Sequence, residues 1–112
     1  MSEFENGLEL IRRGEFFAAH EELELAWRAA DRAEADFFQG LVHVAVAWYQ
    51  AGRGNRYGCE RQLAKAARRL APFAPAHRGV DVAAMLARVA DAQARVAAGS
   101  LDLPPLDDVL RD

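Results

Sequence analysis

Cysteine is nearly absent from this chain of 112 residues: Cys59 stands alone. That excludes an intrachain disulfide and any zinc site built from several thiolates, and it makes a reducing cytoplasm the expected setting. The amino terminus, MSEFENGLEL, lacks the basic start and long apolar run of a secretory leader. No stretch has membrane-spanning length either. The apolar segment Phe37 to Tyr49 falls short of the roughly 20 residues a bilayer requires, so no membrane partner is expected. Nor does one sign of charge dominate: 14 basic against 17 acidic side chains leave a net charge of −3, which gives no reason to expect nucleic acid as a partner. No segment reads as a strand, and no motif repeats at a period of 20 to 50 residues.

What is present is helical periodicity, punctuated by caps. Ser2 with Glu5 has capping-box spacing, Phe4, Leu8 and Ile11 mark a buried face, and Gly14 supplies a stop. A second helix is expected over about Glu15 to Arg32, with Phe16, His20, Leu23 and Trp27 on one stripe. A buried central helix follows over about residues 36–51, with Asp36 and Gln39 as a second capping box. Its apolar surface is interrupted only by Gln39, His43 and Gln50, which lie on one line with Val46. GRGN breaks this helix, and Asn55 caps the next, Arg56 to Leu70, where Gly58 suggests close approach of another backbone. Cys59, Leu63, Ala66 and Leu70 face inward there, and Arg61, Lys65, Arg68 and Arg69 form a basic outer stripe. PFAPAHRG is a turn-rich link, Asp81 caps a last long helix, and Gly99 ends it. The fold expected is therefore all-α, a single-domain bundle of about five helices over residues 1–100, with a Pro- and Leu-containing tail over 101–112 that either straps the body or stays mobile.

The link between the second and third helices is short, which implies an antiparallel hairpin. A turn centred near Ala33 and Glu34 sets Trp27 over Gly40, Glu24 beside His43, and His20 toward Ala47. Glycine at position 40 would then notch the helix for the indole, offsetting the roughly 1 kcal/mol it costs inside a helix.

Imidazole and carboxylate four apart on one helix, facing a second imidazole, is how helical bundles assemble metal centres. His20, Glu24 and His43 are thus the candidate metal ligands, suited to a divalent transition metal such as zinc, manganese or iron. The plainer reading of the same residues is a hydrogen-bonded polar layer. Other chemistry finds little support. Cys59 sits on an inward stripe with no activating base, GRGN is not a strand-to-helix phosphate loop, and the basic stripe lacks interleaved aromatic residues.

Taken together, HEELELAW (His20, Glu21, Glu24, Trp27), FFQGLVHVAVA (containing Phe38 to Ala47), the Gly54, Asn55 and Gly58 pattern and GVD (Gly79 to Asp81) resemble a family of small bacterial helical proteins, domain of unknown function 309. The resemblance covers about residues 10–90. It implies a helical fold and a polar set at His20, Glu21, Glu24, Gln39 and Asn55, without an established reaction. This chain departs from the family pattern at Gln50, where a histidine is expected, and at His77, where a tyrosine is.

The function read from the sequence is a non-enzymatic binding module whose candidate site comprises His20, Glu21, Glu24, Gln39, His43 and Asn55, with a protein partner or a second copy of itself as ligand. The alternative is a small metal-binding protein or metal-dependent hydrolase using His20, Glu24 and His43.

Overall fold

A computed structural model describes residues 2–110. Five α-helices follow one another: α1 (Glu3–Arg12), α2 (Phe16–Ala29), α3 (Arg32–Gly52), α4 (Arg56–Leu70) and α5 (Val82–Ala97), with one 3₁₀ turn, Ala71–Phe73, after α4. Among the described residues there is no strand, only an isolated bridge between His77 and Val80. No helix in the described range is long and apolar enough to cross a membrane.

Local chemistry sets most of these boundaries. The Ser2 hydroxyl accepts the Glu5 N–H at 3.1 Å and the Ser2 N–H donates to the Glu5 carboxylate at 3.2 Å, closing the capping box. Asn55 accepts from the Gly58 N–H and Asp81 from the Ala84 N–H, each at 2.9 Å, satisfying donors that have no intrahelical partner. Gly14 leaves α1 at φ +79°, the left-handed region that glycine enters without penalty.

The junction of α2 and α3 differs from expectation. Helix α2 ends at Ala29, Ala30 is extended, and the cap of α3 is Asp31, whose side chain accepts the Glu34 N–H at 3.2 Å. Asp36 and Gln39 lie inside the helix instead of opening it. Asp31 offers the same short acceptor one and a half turns earlier, and the helix nucleates at the first cap that can hold it.

Helix α3 packs against α2 on one side and α4 on the other. It contributes Phe37, Phe38, Leu41, Val44, Ala45 and Trp48 to the buried core, which Ile11, Leu23, Leu63, Leu70, Met85 and Val89 complete from the other helices. Gly40 does not receive the Trp27 indole. A Cβ built there would stand 2.7 Å from Leu70, so the missing side chain lets α4 close on α3. Gly7 does the same for Leu23 of α2, at 2.5 Å. At Gly58 the neighbour is no second helix but the Asn55 side chain itself, 2.8 Å from a built Cβ, so this glycine makes room for the cap.

The segment after α5 runs across the body. Its Leu106, Val109 and Leu110 are buried, and the Trp48 indole N–H donates to the Pro104 carbonyl at 2.9 Å. Arg88 and Arg95 of α5 donate to the carbonyls of Pro105 and Asp102.

Candidate functional site

Along α3 the half-buried positions are Gln39, His43, Val46, Tyr49 and Gln50, while nearly every other residue from Phe37 onward is buried. The line of polar interruptions read from the sequence is thus the part of α3 that its neighbours leave uncovered. Its two borders can be identified from contacts. On the α2 side, Phe17, His20, Val46, Tyr49 and Gln50 line a depression of about 180 Å³. The Phe17 ring lies 5.3 Å from Tyr49 and 5.4 Å from His20. On the α4 side, His43 bonds to Gln62 and Gly40 abuts Leu70. The half-buried strip of α3 thus lies between α2 and α4, and the depression against it is lined by α2 and α3.

His20 and Glu24, one turn apart, meet at 3.1 Å, and Glu24 also accepts from Arg28 at 2.6 Å. His20, Glu21, Glu24, Leu25 and Arg28 surround a second depression of about 300 Å³. Asn55 caps α4 with its oxygen and donates through its amide nitrogen to the Gln50 side chain at 3.1 Å, so the residue in place of the family histidine ties α3 to the start of α4. Among the described residues the Gln39 side chain makes no hydrogen bond, and it does not cap α3.

His43 does not meet Glu24. Its Nδ1 lies 2.7 Å from the Gln62 side-chain amide oxygen Oε1, an arrangement that assigns the proton to Nδ1 and leaves the buried Nε2 without a partner. Burial holds the His43 pKa below its ordinary value, and the positive charges of Arg69, Lys65 and Arg68 push it the same way against the Gln62 bond. The ring is therefore neutral at physiological pH. The antiparallel arrangement of α2 and α3 is as expected, since Phe17 near the start of α2 touches Tyr49 near the end of α3. What differs is the direction in which Gly40 and His43 project: both turn to α4. Consequently the three ligands of the metal reading do not converge, and among the described residues no three His, Cys, Asp or Glu side chains are grouped to hold an ion.

A second histidine and carboxylate pair lies elsewhere and was not legible in the sequence. His77 Nε2 bonds the Glu34 carboxylate at 2.9 Å, and the Arg78 guanidinium bonds the same carboxylate. The His77 ring packs edge-on to Phe37 at 4.6 Å and beside Phe73 at 4.8 Å, while Arg78 stands over Phe38 at 5.1 Å. Arg78, and secondarily His77, hold the Glu34 carboxyl below the usual range. The one signal was His77 itself, at a position where the resemblance calls for tyrosine.

Cys59 is wholly buried, and burial raises its thiol pKa, so it is a core residue and not a nucleophile of the face.

An all-helical domain is the class that this geometry defines. The chain belongs to the family described as Domain of unknown function (DUF309), whose model matches residues 4–62, from α1 into α4. The match thus takes in His20, Glu21, Glu24, Gln39 and Asn55 and stops short of the GVD segment at Gly79 to Asp81, which the wider resemblance had included. No curated protein and no solved structure matches the chain.

Proposed function

We propose that this domain is a non-enzymatic interaction module that binds a protein partner across the face formed by α2, α3 and α4. One observation carries the reading. The large apolar side chains most exposed to water, Phe17 at 51%, Leu25 at 48% and Tyr57 at 70%, all belong to α2 and α4, the two helices that wall the half-buried line of α3. Aromatic and aliphatic groups held in water on the two helices that flank α3 are the ordinary makings of a docking surface. The polar residues of the site fit this role without chemistry of their own. His20 and Glu24 bond each other, and Asn55 and Gln50 bond each other.

The test is site-specific photocrosslinking in cells producing the protein. A benzophenone side chain in place of Val46, on the floor, is expected to give discrete protein adducts, whereas the same group in place of the exposed Gln93 on α5 gives none. Equal labelling at both positions, or none at Val46, overturns the reading.

A further inference from the structure

We infer that the partner is a second copy of this chain, related by a two-fold axis running along α3, so that α2 of each copy lies on α4 of the other. This rests on the docking-face reading above and adds the identity of the occupant. The fold leaves several charges unspent. Ion pairs close internally at Arg28, Arg56, Arg69, Arg78, Arg88 and Arg95, among others. Among the described residues, Arg61, Lys65 and Arg68 of α4 enter no such pair within 4 Å, and neither does Glu21 of α2. One wall of the groove therefore presents an unpaired acid beside Glu24, and the opposite wall presents unpaired bases. A surface that carries both signs on opposite borders is complementary to itself.

The contacts then fix which residues would meet. Helices α2 and α4 both run antiparallel to α3, hence parallel to each other. Phe17 touches Tyr49, and stepping back along α3 from Tyr49 to His43 corresponds to stepping forward on α4 from Arg56 to Gln62, which His43 bonds. Phe17 is therefore level with the Arg56 and Tyr57 turn. By the same count Glu21 is level with Arg61, and Glu24 and Leu25 with Lys65. A two-fold axis along α3 preserves heights and exchanges the walls, so each of these residues faces its counterpart: an aromatic pair, an ion pair, then a mixed apolar and charged contact. Arg28, which approaches the Arg68 end of α4, is already neutralised by Glu24. The perpendicular two-fold axis would instead lay α2 on α2 and α4 on α4, acid on acid and base on base, and the charges select against it.

The test is a charge exchange read by sedimentation equilibrium of the full chain. The unmodified protein is expected to sediment as a dimer, and Glu21→Arg and Arg61→Glu each to weaken self-association on the order of tenfold or more, with unchanged helical circular dichroism. An equimolar mixture of the two variants restores a dimer, because each copy then carries what the other lacks. A monomer at every concentration, a dimer indifferent to both changes, or a mixture that stays apart overturns the inference. If the unmodified chain is monomeric while benzophenone at position 46 still captures a different protein, self-association falls and the docking face stands. If position 46 captures nothing, both fall.

Discussion

Among the described residues, two histidine and carboxylate pairs share the same chemistry and differ in how the chain brings them together. His20 and Glu24 are half-buried neighbours on one helix, with Arg28 on the carboxylate and the Phe17 ring beside the imidazole. His77 and Glu34 come from remote parts of the chain and sit against Phe37 and Phe73 with Arg78 closing over them. The remote pair fastens the link after α4 to the first turn of α3. The local pair fastens nothing, since both groups already share a helix. A polar contact made between distant segments contributes to the fold, whereas one made within a turn is free to meet something else.

The sharpest way to break this contrast is to remove the ring beneath each pair. Phe37→Ala, at a wholly buried position ringed by Phe4, Phe38, Phe73 and His77, is expected to cost about 3–5 kcal/mol in denaturant unfolding. Phe17→Ala, half in water beside His20, should stay within about 1 kcal/mol of the parent. Comparable losses for the two would erase the distinction.

Next in size are the carboxylates. Glu34→Ala leaves His77 and Arg78 without their acceptor and should cost about 1.5–3 kcal/mol, in keeping with hydrogen bonds to a charged group. Glu24→Ala, which removes only contacts one turn away on its own helix, should cost less than about 1 kcal/mol by the same measurement. Acidification sharpens the first of these. The Arg78 and His77 bonds hold the Glu34 carboxyl below its ordinary pKa in the folded state, so its contribution is complete above that ordinary value and is lost as the pH falls through the depressed one. Stability measured from pH 6 downward should therefore decline in the parent, and Glu34→Gln should flatten that decline; an unchanged slope would remove Glu34 from the account.

The smallest effect is kinetic. Cys59 is buried with its thiol pKa raised, so labelling by a disulfide reagent at neutral pH requires the bundle to open. Phe37→Ala should speed labelling and Phe17→Ala should not. Rapid labelling of the parent would contradict the burial.

The sequence made the helices legible because their signals are local. Ser2 with Glu5, Asn55 and Asp81 announce starts that a few neighbouring residues suffice to fix, and the stripe Cys59, Leu63, Ala66, Leu70 states its own inward direction. Where two acids offered the same cap, Asp31 and Asp36, spacing alone could not choose between them. The floor of the groove was legible too, as the one polar line on an otherwise apolar helix. Its neighbours were not. A helix that is apolar on most sides shows its period but not which helix fills which notch, so Gly40 and His43 were assigned to α2 when they belong to α4. The Glu34, His77 and Arg78 cluster left no trace in spacing because nothing local links its members.

The bond from the Trp48 indole to the Pro104 carbonyl implies an order of events during synthesis. A nascent chain halted after α5 would present that N–H, and the apolar patch beneath Leu106, Val109 and Leu110, to solvent. The core around Trp48 is sealed only when Leu106, Val109 and Leu110 have docked, and Trp48 fluorescence in a stalled-chain series should report the moment.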